Sequence, residues 1–461
     1  MSDRQLAVYD CALQPTLGEF CIFLQASLSL SAHLGIEDVD LCLVNDPSLI
    51  RNRDFAPLMT NDGALRAKIF ELLPMTQLHP NIRSIIVVDR IQDAVDLARR
   101  TEKPYKSCWR PCEALASGKY MYYSDLTLLD QLHHGKQVVP RLRARPPVAD
   151  WAKQFLSEHC AGGIPVTVNL RSNPTHCVNR NMDARVWRNF FDQTASRHAA
   201  TFFLLGAASE DFSLFRGCRN AVVTKDWHTS VEQDLALIEY AGLHIGCCSG
   251  PSIHPLFIDD KPTLIVRSDV VPDLPNYHGS MMWDDTGTHL LFSFGSPNYR
   301  STARPETVEF LTAEFDRMQA VLSAQAERRK ADAAKLDAAC AKGMELQLAG
   351  QLDLAGQLYQ AVLQAAPQHA AANYCMGMLH VQLKRPEDGL PHLKTALLAQ
   401  LGVHEYWLGY LETLMLLGRH AAVRNILALG LQQGLKGDAV DDFTRRLDVP
   451  SARAETSRTG T

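Results

Sequence analysis

Over the first 310 positions, apolar residues fall in short runs of strand length separated by stretches with helical period. QLAVYDCALQP, VDLCLVN and SIIVVD are such runs, and EFCIFLQASLSLSAHLG between the first two is helical and ends on Gly35. A second series opens with IPVTVNL and passes through the helix ARVWRNFFDQTASRH to TFFLLG. AVVTKDW, the helix SVEQDLALIEYA, the strand GLHIGC, a helix starting near Ser252 and the strand PTLIV complete it. Continuous apolar strands alternating with helices predict doubly wound parallel sheets. KQVVPRLRARPPVADWAKQFL, punctuated by Pro140, Pro146 and Pro147, separates the two series, so two α/β lobes are expected, at 1–148 and 149–320.

Beyond them the period changes. AQAERRKADAAKLDAACAKG is rich in Ala and charge and lacks Pro, which predicts a helical linker over 321–335. From Leu336 to Leu435 small and apolar residues recur every 34 positions. Gly343, Gly377 and Leu411 share one site, Ala355, Gly389 and Val423 the next, and Tyr359, Leu393 and Leu427 a third. Gly350 and Gly418 fall in equivalent turns, Pro367 closes the first hairpin and Trp407 takes the early aromatic site of the third. This is the pattern of tetratricopeptide hairpins, in which small residues mark the line where two helices touch. Leu411 and Val423 are bulky for that line, so the third unit is expected to pack atypically. LGLQQGLKGDAVDDFTRRL reads as one capping helix ending a repeat domain at 336–448, and residues 449–461 as a disordered polar tail.

Composition narrows the function. The 461 residues are 46% hydrophobic and 21% charged with a net charge of -5, so no electrostatic footprint for nucleic acid is present. The N-terminus lacks the basic start and apolar core of a secretory signal, and no apolar run reaches the ~18 residues of a membrane span. A cytoplasmic protein with no membrane span is the expectation. None of the 12 cysteines stands at C-x-x-C spacing, so they read as reduced, mostly buried thiols. His133, His134 and His176 have no carboxylate or Cys at ligand spacing, and no metal site is expected.

In open α/β sheets ligands bind beyond the carboxyl ends of strands, which selects three loops of the second lobe. NLRSNPTHCVNRN carries Asn169, Arg171, Asn173 and Arg180; TKDWHTS carries Lys225, Asp226, Trp227 and His228; CCSGPSIHP carries Ser249, Gly250, Pro251 and Ser252. A guanidinium at a strand end can clamp phosphate bidentately, although a surface salt bridge accounts for Arg171 equally. Backbone N–H groups and hydroxyls at a strand-to-helix turn can hold a diphosphate, although Ser252 capping an ordinary helix accounts for the third loop.

DLALIEYAGLHIGCCSGPSIHPLFIDDKPTLIV resembles the sugar-nucleotide signature of GT-B glycosyltransferases, especially the ADP-heptosyltransferase superfamily. Ala241, Ser249, Gly250, Pro251, Lys261, Pro262 and Thr263 carry the resemblance. QPTLGEF resembles that family's glycine–acid loop, with Gly18 and Glu19 in the Gly-Asp positions. The family's His after the Gly-Pro turn is shifted, with Ile253 and then His254 here. A weaker resemblance is to transferases that join tetratricopeptide repeats to catalytic lobes, as the O-linked N-acetylglucosamine transferases do, although there the repeats come first.

The fold class implied is α/β, two Rossmann-like lobes of GT-B type followed by an all-α tetratricopeptide repeat domain. The activity implied is metal-independent, inverting transfer from a nucleotide sugar to a protein or glycan acceptor, with no cofactor beyond that donor. Resemblance makes Glu19 the general base, although a first-turn Glu is also favoured by the helix dipole. Asp125, after Tyr120, Tyr122 and Tyr123, is the alternative acid. The repeats would dock the acceptor, another protein partner or a second copy of the chain. A nucleotide-sugar 2-epimerase and an inactive adaptor remain the alternatives.

Overall fold

A computed structural model describes residues 2–12, 16–46, 48, 62–99, 105–109, 124–134, 140–160, 162–172, 178–207, 210–267, 281–283, 290–292 and 294–448. The chain divides into two compact units, Met1–Ser323 and Ala324–Thr461.

The first unit contains two parallel sheets. In the first lobe β1 (Ser2–Asp10), β2 (Asp38–Val44), β3 (Ile82–Val88) and β4 (Tyr105–Trp109) lie in the order β3-β2-β1-β4. Helices α1 (Leu17–His33), α2 (Asp62–Leu72), α3 (Ile91–Arg99) and α4 (Ser124–His134) connect or follow these strands. Helix α1 is buried along most of its length despite three serines. Its Ser27 and Ser29 hydroxyls donate to the carbonyls of Phe23 and Gln25, both at 2.7 Å, and Ser31 to that of Ile36 at 2.8 Å, so each buried hydroxyl has an acceptor. Gln5 on β1 donates to the Ser27 carbonyl at 2.9 Å, tying strand to helix.

The second lobe begins with α5 (Pro146–His159). Its strands are β5 (Ile164–Asn169), β6 (Ala200–Leu205), β7 (Ala221–Val223), β8 (Leu243–Cys247), β9 (Thr263–Val266), β10 (Met281–Trp283), β11 (Leu290–Phe292) and β12 (Tyr299–Ser301). Their order is β10-β11-β12-β9-β8-β5-β6-β7, with β10 and β11 antiparallel additions at one edge. Helices α6 (Ala184–Arg197) and α7 (Val231–Tyr240) pack on the sheet. Asp183 caps α6 by accepting from the Arg185 and Val186 N–H groups, and Ser230 and Gln233 form a reciprocal capping box on α7. Trp187, Phe190, Phe191, Phe202, Phe215 and Phe315 are all fully buried and fill the core on one side of this sheet.

Both sheets have a point where strand order reverses. In the first lobe β1 lies between β2 and β4; in the second, β5 lies between β6 and β8. Such reversals open a crevice at the strand carboxyl ends, and the loops singled out above leave β1, β5 and β8 there.

Helix α8 (Val308–Leu348) runs unbroken across 321–335, and its last turns form the first helix of the repeat stack. The rest are α9 (Leu352–Ala365), α10 (Ala370–Gln382), α11 (Pro386–Ala399), α12 (His404–Leu416), α13 (His420–Gln432) and α14 (Asp438–Asp448). The small-residue line is steric. A Cβ on Gly377 would sit 2.6 Å from the Leu393 side chain, and one on Gly389 2.6 Å from the Gly377 carbonyl oxygen. In the third hairpin Leu411 and Val423 are themselves fully buried, and close contact moves to Gly430, where a Cβ would lie 3.1 Å from the Trp407 ring. The stretch read as one capping helix is broken. Gly434 (φ 89°) and Gly437 (φ 122°) take left-handed backbone that no helix tolerates, so α13 ends at Gln432 and α14 starts afresh. The tail 449–461 lies outside the described residues.

Candidate functional site

The first and second lobes meet where two glycines face each other. Thr16 caps α1, its hydroxyl accepting the Glu19 N–H at 3.5 Å, so Leu17, Gly18 and Glu19 form the first turn. Across from it β8 ends at Cys247, and Ser249, in extended backbone, leads into a short 3-10 helix, Gly250–Phe257, with Pro251 near its start. A Cβ on Gly250 would lie 2.8 Å from Leu17 Cβ and 3.2 Å from the Gly18 nitrogen. A Cβ on Gly18 would lie 3.1 Å from Ile253 and 3.4 Å from Gly250 Cα. Only glycine permits this backbone approach, which sets the Glu19 turn directly against the Ser249–Gly250–Pro251 turn.

Hydrogen bonds fix the second-lobe side. The Asn169 amide, at the carboxyl end of β5, donates to Ser249 Oγ. Ser249 and Ser252 hydroxyls are 3.4 Å apart, and Ser252 donates to the Cys247 carbonyl at 2.8 Å. Ser252 is therefore inside the 3-10 helix, with Ser249 at its N-cap position. Tyr299, fully buried, donates its hydroxyl to the Ser252 carbonyl at 3.1 Å. Asn169 Oδ1 is buried without a hydrogen-bond partner among the described residues. A buried acceptor in that state is costly unless a donor from water or a ligand meets it.

Arg171 follows two residues after Asn169, half-buried, and its carbonyl accepts the Met182 N–H at 2.9 Å, closing the loop. Asn173, His176 and the tyrosines Tyr120, Tyr122 and Tyr123 lie outside the described residues. Glu210 was not foreseen. Its carboxylate accepts from the Ala207 N–H at 2.9 Å and the Ser172 N–H at 3.4 Å, within the electrostatic reach of Arg171 and Lys225. Burial pushes its carboxyl above the usual range, outweighing those donors and cations. The signal in sequence was slight: Glu210 is one of two adjacent acids, with Asp211, in the Ala-Ser loop after TFFLLG.

The TKDWHTS loop is internally committed. Lys225 Nζ reaches Asp234 at 2.6 Å and both the carbonyl and hydroxyl of Thr229, at 2.7 and 3.0 Å. Asp226 pairs with exposed Arg216 at 2.8 Å, which lowers its pKa. Trp227 packs edge-on against Phe155 and His159 of α5. These three residues serve contacts of their own lobe, while Gly18, Glu19, Asn169, Ser249, Gly250, Pro251 and Ser252 converge.

The Lys-Pro-Thr segment is a clamp. Lys261 is buried, and its ammonium donates to the carbonyls of Ala241 and, at 3.3 Å, Glu239 at the negative end of α7. The Pro262 carbonyl accepts from His244, and Thr263 begins β9. His254 is fully buried with neither ring nitrogen hydrogen-bonded among the described residues, and burial lowers its pKa to about 3, helped by the positive charges of Arg143 and Lys261. Asp125 is also buried, in the first turn of α4. No group of three or more metal-ligating side chains occurs among the described residues, and no described helix is long and apolar enough to cross a membrane. A hollow of about 550 Å³, lined by Arg188, His198 and Arg219, lies instead at the amino ends of β5 and β6.

No protein family model matches this chain, and no curated protein does. Among solved structures it is similar to the ADP-heptose lipopolysaccharide heptosyltransferase II of E. coli, at 11% identity over 70% of this chain and 99% of that one, with a TM-score of 0.42. It is also similar to the E. coli heptosyltransferase WaaC with ADP, at 13% identity over 68% and 99%, TM-score 0.35. A third similar structure is the first tetratricopeptide domain of Spaghetti (RPAP3) bound to an HSP90 peptide, at 13% identity over 25% and 90%, TM-score 0.23.

Proposed function

We propose that the first unit is a glycosyltransferase that moves a sugar from a nucleotide-sugar donor to a protein or glycan acceptor, in the cytoplasm, with the repeats docking that acceptor. The observation that carries this reading is the Gly18–Gly250 apposition. It brings a carboxylate-bearing turn at the carboxyl end of β1 against the hydroxyl-rich turn at the carboxyl end of β8.

The donor's diphosphate would lie against the Ser249–Gly250–Pro251 turn, with the Ser249 hydroxyl and the Arg171 guanidinium as its donors, while the Ser252 hydroxyl, committed to the Cys247 carbonyl, holds the turn's shape. Asn169 holds Ser249 in place. Glu210, beside Arg171, is suited to accept ribose hydroxyls. In the transfer step Glu19 takes the proton of the acceptor hydroxyl, whose oxygen attacks the anomeric carbon from the face opposite the leaving group. The carbon–oxygen bond to the diphosphate breaks with its electron pair, and the charge that develops is met by Arg171 and the turn. Single displacement inverts the anomeric centre, and these donors make the step independent of a metal.

Titration calorimetry with UDP-, GDP-, dTDP- and ADP-sugars tests the reading. One donor should bind saturably, unaffected by chelator, and Arg171→Ala should weaken it at least tenfold. Glu19→Gln should keep binding while lowering transfer ~10²–10⁴-fold. Absence of heat or thermal stabilisation across the whole panel would sink the proposal.

A further inference from the structure

The first helices of the three hairpins turn one continuous face outward. On α8 it carries Met344, Gln347 and Leu348; on α10, Tyr374, Met378 and Gln382; on α12, Glu405, Leu408, Glu412 and Met415, each set at helical spacing. Contacts bind the three rows together. Gln347 donates to Gln382 at 2.9 Å, and a Cβ on Gly409 would lie 2.7 Å from the Tyr374 ring and 3.4 Å from the Met378 sulfur. Met344 is 47% and Leu348 89% exposed, and Leu416 at the end of α12 is 64% exposed, which is much apolar surface to leave in water.

The charge on this face has one sign. No Lys or Arg occurs among these positions, whereas Glu405 and Glu412 are exposed and form no ion pair among the described residues. Both flank Tyr374, whose ring lies 5.0 Å from that of Tyr406 and whose hydroxyl is held above its ordinary pKa by burial first, and then by the negative charge of Glu412 and Glu405 nearby. An aromatic surface between two carboxylates is complementary to a Lys or Arg head group, and adjacent methionines accept varied apolar side chains.

We infer that this face binds a basic amphipathic segment of a partner protein, its cations on Glu405, Glu412 and the Tyr374 ring and its apolar side chains over Met344, Met378 and Met415. The inference rests on the docking role given to the repeats and is independent of the transfer chemistry. A fluorescent Leu/Lys amphipathic helical peptide, its Leu/Glu counterpart and a Ser/Lys counterpart, each titrated into the full-length protein without nucleotide sugar, test it. The Leu/Lys peptide should bind at least tenfold more tightly than either control, with an affinity that falls as salt rises. Glu405→Lys with Glu412→Lys should abolish that preference, and Glu327→Lys, on α8 ahead of the hairpins, should not. The inference is overturned if the three peptides bind alike or not at all, or if the double reversal leaves the Leu/Lys affinity unchanged. Failure of nucleotide binding in calorimetry would leave it standing.

Discussion

At the scale of single residues, identity and role separate. His254, one place past the position where the resembling family has its His, is not available as an acid or base. It is fully buried, both ring nitrogens are without a hydrogen bond among the described residues, and its pKa falls to about 3 because burial penalises the imidazolium. A depressed histidine stabilises the fold above its unfolded pKa of ~6.5, and that contribution is lost as pH falls through the folded value. Acid should therefore weaken the protein between about pH 6.5 and 3. His254→Leu removes both the orphaned nitrogens and the linkage, so at pH 7 it should be neutral or stabilising. At pH 4 it should exceed the parent by roughly 1–3 kcal/mol in urea unfolding. Parallel pH profiles for the two proteins would show that the imidazole is not the source. Glu210 illustrates the converse, since nothing in its local sequence marks it and only the folded course of β5 and β6 brings it to Arg171.

At the scale of elements, what repeats was legible and what closes in space was not. The 34-residue register located the first two hairpins because one steric requirement recurs at Gly343 and Gly377, and the apolar site it marks persists at Leu411 even though the close contact has moved to Gly430. Strands β1, β2, β5, β6, β8 and β9 were readable because buried parallel strands are apolar on both faces, whereas β4 (Tyr105–Trp109) went unread. Strands β10 to β12, which build one side of the second sheet out to its edge, have three residues each, too few to show a period. The break between α13 and α14 was missed because glycine's left-handed backbone overrode a good amphipathic pattern. The same geometry yields a prediction in the second hairpin. Its turn residue equivalent to Gly350 (φ 76°) and Gly418 (φ 66°) is Lys384, held at φ 60° and exposed. An L-residue with a Cβ costs about 1 kcal/mol or more there than glycine does. Lys384→Gly should accordingly stabilise the repeat unit by about 0.5–1 kcal/mol in denaturant titration, whereas glycine placed inside an adjacent helix would weaken it. An unchanged midpoint would mean that the Lys384 turn carries no strain.

At the scale of the molecule, the segment joining the lobes of the first unit decides how firmly they face one another. Its pattern R-L-R-A-R alternates, and so do its contacts. Leu142 and Ala144 are buried, and the Arg143 N–H donates to the Leu78 carbonyl of the first lobe at 2.7 Å, while Gln25 of α1 donates to the Pro140 carbonyl. The arginines turn to the second lobe. Arg145 grips Glu232 of α7 with two bonds of 2.8 and 2.7 Å, Arg143 lies 3.5 Å from Glu239, and Arg141 lies 3.0 Å from Asp259. The Ala144 N–H also donates to Glu239 at 2.9 Å. Exposed pairs of this kind contribute little singly, ~0–1 kcal/mol. Glu232 and Glu239 differ, since both carboxylates are nearly buried; Glu239 keeps the Ala144 N–H if its arginine is removed, whereas Glu232 would lose its bidentate partner. Arg145→Gln should cost about 1–2 kcal/mol at low salt, and replacing all three arginines by Gln should add only a little more. Because Coulomb attraction is screened within ~3 Å at 1 M salt, the parent should lose stability between 50 mM and 1 M NaCl and the triple variant should lose much less. Guanidinium would itself screen the charges, so the comparison belongs in urea. The strap would also loosen, seen as faster amide exchange at residues 141–145 and at the start of α7. Equal salt dependence in parent and variant would assign the cohesion of the lobes to apolar packing and to the Gly18–Gly250 contact instead.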